Sequence, residues 1–325
     1  MKDENIDRRD FLKRSVQAGT AVAAAGGLGF WLSSRSGHPG REASTSLVRN
    51  YSVEAGNDLP QMVVASGGDP AALATAAMNA LGGMQKFVSR GDVVVLKPNI
   101  GWDRVPQQAA NTNPDLVKAI ALMCFEAGAK KVVVTDVSCN DPRRCFLRSG
   151  IAGAAESVGA TVLLPEERRF RDYRINGELL SVWPIYTPII ETDKIINVPI
   201  VKHHNLSRVT MGMKNWYGML GGRRNQLHQN IEVGITDLAT FMRPTLTILD
   251  AYRVLTANGP QGGNLNDVKL MKTVVAGVDP VAIDAYGATF LGLKAEQVPY
   301  IMMGHERGLG NRNYSELQVK YVSID

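Results

Sequence analysis

The chain has 325 residues, 45% of them hydrophobic and 21% charged, with a formal net charge of +5. That length supports a sizeable core in one or two domains. The charge is mild, and no basic stretch is interleaved with aromatics, which argues against a nucleic-acid partner.

Residues 1–50 read as a signal and linker and are set apart from the fold. "RRDFLK" places Arg8 and Arg9 just before Phe11, Leu12 and Lys13, and the uncharged, Ala/Gly-rich run 15–34 follows. This pattern resembles a twin-arginine (Tat) export signal. It makes the Tat translocase an expected partner during export. The expected location is the periplasm, or the outer side of the inner membrane. The alternative is an N-terminal membrane anchor, which the glycines disfavour. No small-x-small cleavage site follows Leu32, consistent with a signal that stays attached. Tat cargo crosses folded, often with a cofactor in place, so the signal hints at a bound metal or iron–sulfur cluster.

From residue 51 onward, apolar runs alternate with helical patterns. "QMVVASGG" (61–68) reads as a strand and turn. Residues 69–83 read as a helix opened by Asp69 and Pro70. "GDVVVLKPN" (91–99) is a continuous β-branched run, as in a buried strand. A helix over 113–129, a strand over 130–138, a helix over 146–160 and a strand over 161–165 follow. Residues 166–190 are irregular and suggest an inserted hairpin. Strands are expected over 193–202, 245–251, 268–279 and 317–324, and helices over 230–242 and 279–292. The alternation specifies one α/β domain over 51–325, with a mainly parallel, doubly wound-type sheet and helices on both faces.

Ligands gather at the carboxyl ends of such strands. Lys97 and Asn99 end one strand, Asp136 and Cys139 follow another, Lys202 and His203 end a third, and Asp250 ends a fourth. Lys97 either holds an anion or pairs structurally with Asp136 or Asp250. Neighbours on a strand face opposite ways, so Lys202 and His204 should share a face and His203 should oppose them. His204 beside a cation is a candidate general base or metal ligand. If "VTMGMKNWYG" is helical, Thr210 and Lys214 share a face, with Asn215 next to them. Three converging lysines repel one another unless an anion or carboxylates sit among them. The acids at hand are Asp136, Asp237, Asp250, Asp279 and Asp284. Asp279 also reads as a helix cap. Arg223, Arg224 and His228 add anion contacts or a solvated loop, and "NGPQGG" (258–263) a turn at the site edge.

Cys124 reads as a core thiol. Cys139 and Cys145, in "VSCNDPRRC", read as a local disulfide or as metal ligands with His203. No HExxH or CxxC spacing supports a metal, and the lysines oppose a divalent cation.

Four stretches carry a family resemblance: "VVVLKPNIGW" (93–102), "PIVKHHNLSRVTMGMKNWYGML" (199–220), "DLATFMRPTLTILDAYRVLTANGPQGG" (237–263) and "VVAGVDPVAIDAYGATFLG" (274–292). In this order they resemble domain-of-unknown-function family 362. The resemblance implies an α/β fold and a site, but no reaction. Some members carry a fused ferredoxin-like domain, and this chain has no such cysteine run.

Three readings stay open at this level. The chain is an exported enzyme acting on a small anionic or polar ligand, with Lys97, Lys202, His204 and Lys214 as catalytic groups. Asn99, Thr210, Asn215, Asp250 and Asp284 would then bind the ligand. Alternatively it is a metal or iron–sulfur redox protein, or a periplasmic binding or scaffold protein without chemistry.

Overall fold

The computed structural model describes residues 48–53 and 59–324; the signal reading of residues 1–34 therefore lies outside the described residues. Strands β1 (Met62–Ser66), β2 (Val93–Pro98), β3 (Lys131–Val134) and β4 (Thr161–Val162) alternate with helices α1 (Pro70–Ala80), α2 (Pro114–Glu126), α3 (Pro142–Arg148) and α4 (Ile151–Glu156). A two-stranded antiparallel hairpin, β5 (Phe170–Arg174) and β6 (Val182–Tyr186), comes next. Then follow β7 (Lys194–Val198), β8 (Ile200–His204), β9 (Arg208–Thr210), α5 (Ile231–Phe241), β10 (Leu246–Leu255) and β11 (Val268–Gly277). The chain closes with α6 (Pro280–Thr289), α7 (Pro299–Glu306) and β12 (Val319–Ser323).

Four helices start by one device. Asp69, Asn113, Asp141 and Asp279 each precede a proline and accept hydrogen bonds from first-turn amides of α1, α2, α3 and α6. Proline at the first position loses nothing, because that amide has no partner inside the helix.

The described residues form a ten-stranded sheet with the order β12-β1-β11-β10-β7-β2-β3-β4, with β8 beside β10 and β9 folded back on β8. Most pairings are parallel; β11 runs antiparallel to both β1 and β10, and β9 antiparallel to β8. The fold is thus α/β with a mixed, mostly parallel sheet. Alternate side chains feed two apolar layers. On one face Leu73, Leu116 and Ile151 pack with Leu96, Ile196 and Ile248. On the other, Ile235, Ile283 and Ile301 pack with Ile195, Leu249 and Val275.

The structure departs from the sequence reading in several places. The helix expected over 146–160 breaks into α3 and α4 at Ser149–Gly150, where Gly150 takes a left-handed φ of 76°. The strand expected over 193–202 becomes β7 and β8, split at Pro199, which has no amide to donate to a ladder. The helical reading of 209–218 fails: Thr210 ends β9, and a 3-10 turn runs over Lys214–Met219. Helix α7 had no counterpart in the sequence reading. No Cys139–Cys145 disulfide forms; all three cysteines are free thiols. Cys145 sits in α3 with its side chain in the apolar layer, whereas Cys139 is exposed.

Candidate functional site

The site lies where β2, β3 and β8 end. Its floor is a closed polar network. Lys97, near the end of β2, is fully buried, and its Nζ donates to Asp136 Oδ1 at 2.6 Å, Asn215 Oδ1 at 3.1 Å and the Pro98 carbonyl at 3.1 Å. All three ammonium hydrogens are therefore used. Asp136 Oδ2 accepts from the Ile100 amide at 2.7 Å. Asn215 donates to the Lys97 carbonyl at 3.0 Å and to Asn197 Oδ1 at 2.8 Å, and Asn197 donates to the Gly212 carbonyl at 3.0 Å. Burial lowers the Lys97 pKa, and the Asp136 charge opposes that shift. Gly218 lies against this pair so closely that a Cβ there would overlap the Asp136 carboxylate and sit 2.5 Å from Lys97 Nζ.

Above the floor is a cavity of about 290 Å³ whose lining includes Asn99, Trp102, Asp136, Cys139, Lys202, His204, Thr210, Lys214, Asn215, Tyr217, Arg224, His228 and Pro260. Lys97 does not line it. Lys202 is 1% exposed; its Nζ donates to Asn99 Oδ1 at 3.0 Å and to the Ala110 carbonyl. Burial lowers its pKa to about 7, with no ion pair among the described residues to offset the loss of water. Lys214 is 8% exposed and has no hydrogen bond or ion pair among the described residues; its Nζ stands 4.9 Å from the Tyr217 ring centre. Burial lowers its pKa to about 8.

His204 Nδ1 accepts from the Leu206 and Ser207 amides at 3.2 and 3.3 Å, which assigns the proton to Nε2. Burial, then Lys214 and Lys202, push its pKa down to about 2, so His204 is a neutral donor rather than a cation. His228 stacks near it, with ring centres 6.5 Å apart, and is also held low by burial. Thr210 Oγ1 is buried and has no hydrogen-bond partner among the described residues. Arg224 donates to the Val137 carbonyl at 2.7 Å and to the Ser138 carbonyl, and reaches Cys139 Sγ at 3.5 Å. Among the described residues, three cationic side chains thus line the cavity against one carboxylate, which Lys97 already engages.

Lys202, His204, Thr210, Lys214, Asn99 and Asn215 are brought together around one space. Asp250 and Asp284 are not. Asp250 accepts from the Asn113 amide at 2.7 Å and the Tyr252 amide at 2.9 Å. Asp284 accepts from the Gly212 and Met213 amides at 2.7 and 2.9 Å. Both carboxylates brace segments that lead into the site. His203 faces the other way, and its Nδ1 accepts from the Gly259 amide at 3.2 Å. That contact ties down the 258–263 turn, which brings Pro260 to the cavity.

His203, Cys139 and Cys145 do not converge, and among the described residues no three His, Cys, Asp or Glu side chains are placed to hold a metal ion. A cavity lined by lysines does not fit a resident cation or cluster. Sequence reasoning missed Asn197, whose signal is only an amide inside an apolar strand. It also gave no role to Trp102 or Tyr217.

A family model described as a domain of unknown function (DUF362) matches residues 94–289, a span that contains the strand-end lysines, Asp136 and the 212–219 turn. The chain belongs to that family. It is similar to a thylakoid-associated protein of Synechocystis sp., 28% identical over 275 residues, covering 82% of this chain and 80% of the relative. A solved structure of a Thermotoga maritima protein also aligns, at 12% identity and a TM-score of 0.40, covering 78% of this chain. This chain spans about three fifths (61%) of that protein's length.

Proposed function

We propose that the protein is an enzyme that binds a small anionic ligand, a carboxylate or phosphate, in the Lys202–Lys214 cavity. The observation that carries this reading is a pair of buried ammonium groups with no carboxylate partner among the described residues, facing a common space. Buried charge without a partner is costly, and a bound anion removes that cost. The Thr210 hydroxyl and the His204 Nε2–H are donors ready for anion oxygens. Lysines with lowered pKa values beside a neutral histidine suit proton transfer near neutral pH. The small volume favours a metabolite-sized ligand over a dinucleotide.

Calorimetric titration with phosphate and with short carboxylates tests the reading. The wild type should bind, and a Lys202→Met, Lys214→Met double variant should not. Equal binding by both proteins would refute the site assignment. Turnover distinguishes an enzyme from a binding protein that uses the same lysines.

We also infer export by the twin-arginine route. The Arg8–Arg9 pair and the mild apolar run 15–34 support it, and the relative's thylakoid association is consistent with a membrane-associated setting. No helix among the described residues is long and apolar enough to cross a membrane. A reporter fused after residue 50 should be exported with the native Arg8–Arg9 pair and retained when both arginines are replaced (Arg8→Lys, Arg9→Lys). Export of both fusions would contradict the route.

A further inference from the structure

The two cavity lysines are not equivalent. Lys202 is committed: its ammonium donates to Asn99 Oδ1 and to the Ala110 carbonyl, and these bonds fix its position. Lys214 has no such partner among the described residues. Its Nζ lies over an aromatic ring, next to other cations, on the wall of the cavity. A desolvated lysine near a second cation is the setting in which an amine becomes a nucleophile toward carbonyl carbon.

We propose that Lys214 forms an imine with the carbonyl carbon of a small oxo acid whose carboxylate is held by Lys202 and Thr210. This rests on the anion-cavity reading and narrows its ligand to carboxylates that carry an aldehyde or ketone. In the step, the Lys214 ammonium passes a proton to solvent water. The neutral amine adds to the carbonyl carbon, forming a C–N bond, and the carbonyl oxygen becomes a hydroxyl. A proton returns from solvent water to that hydroxyl, the C–O bond breaks and water leaves. The sum is an ammonium plus a carbonyl giving an iminium plus water, with no oxidant or reductant. The bound carboxylate favours the charged form of Lys202, which orients it so that the carbonyl faces Lys214.

The test is reductive trapping. The full chain is incubated with pyruvate, and separately with glyoxylate, then treated with sodium borohydride and mapped by mass spectrometry. The expected result is one adduct per chain, located on Lys214. It should vanish in Lys214→Arg, which keeps the charge but cannot form an imine, and weaken in Lys202→Met. Thermal melts of each variant establish that it is folded. Label spread over surface lysines and unchanged in Lys214→Arg would overturn the proposal. So would no adduct in a protein that pyruvate still stabilises thermally, and in that case the anion-cavity reading survives alone. Absence of both adduct and stabilisation by any anion removes both.

Discussion

The floor and the wall of the site hold similar lysines in opposite conditions. On the floor, Lys97 meets three acceptors, one of them a carboxylate, and its neighbours Asp136, Asn215 and Asn197 are each engaged. On the wall, Lys214 and the Thr210 hydroxyl have no hydrogen-bond partner among the described residues, and Lys202 has only neutral ones. A closed network is what a scaffold needs, because every buried polar group is satisfied. An open one costs stability in the empty protein and is worth keeping where a ligand completes it. The contrast separates structural lysines from functional ones, although all three end or follow strands of one sheet.

The largest effect should come from breaking the floor. Asp136→Ala leaves the Lys97 charge buried and the Ile100 amide without its acceptor, and should cost about 3–5 kcal/mol. Urea denaturation measures it; a loss under about 1 kcal/mol would mean that Lys97 is not held by this pair. Gly218→Ala should follow, because its methyl would enter the space of the Asp136 carboxylate. A penalty of about 1–3 kcal/mol is expected, as for overpacking in a core.

The wall should respond in the other direction. In anion-free buffer, replacing Lys202 and Lys214 by methionine should leave stability unchanged or raise it by about 1–4 kcal/mol, since unpaired buried charge is removed. Destabilisation as large as that of Asp136→Ala would erase the distinction between floor and wall.

The pH dependence sharpens the same contrast. Lys202 has a folded pKa of about 7, below its ordinary value of 10.5. Between those values the unfolded chain binds more protons, so this lysine makes the anion-free protein more stable as pH rises through that window. Anion affinity should move oppositely. It should be greatest below pH 7 and fall as Lys202 and then Lys214 lose their charge at about 7 and about 8. Above those values the fall should approach about tenfold per pH unit for each lysine the anion needs. Calorimetry with acetate across this range checks it, and a flat profile would exclude both lysines from binding. The smallest effect should be remote from the site. Asp69→Ala removes the α1 cap and should cost about 1 kcal/mol without changing anion affinity.

Much of the scaffold was legible in the sequence because its signals are local. The β-branched run ending in Lys97 and the Asx-Pro starts of α1, α2 and α6 each speak for their own segment. The site was legible only in part. Lys202 and His204 share a strand face by the period of two, and that spacing is visible in "VKHHN". The roles of Asp250 and Asp284 were not visible, because each carboxylate serves amides far along the chain: the Asn113 amide is 137 positions from Asp250, and the Met213 amide 71 from Asp284. The fate of Lys97 was equally non-local, since either Asp136 or Asp250 could have been its partner. Pro199 and the Ser149–Gly150 step break elements whose apolar periodicity runs on without interruption. Cys139 and Cys145 are six apart in sequence, yet the start of α3 turns one into the core and leaves the other exposed.

The central claim is that Lys202 and Lys214 are buried cations awaiting an anion. Heteronuclear NMR of the lysine side chains, titrated first in anion-free buffer and then with saturating phosphate, tests it most directly. Two lysines, assigned through Lys202→Met and Lys214→Met, should titrate well below 10.5 in the first case and shift upward in the second. Two lysines that titrate at ordinary values in both buffers, or whose low values phosphate leaves unmoved, would contradict the account.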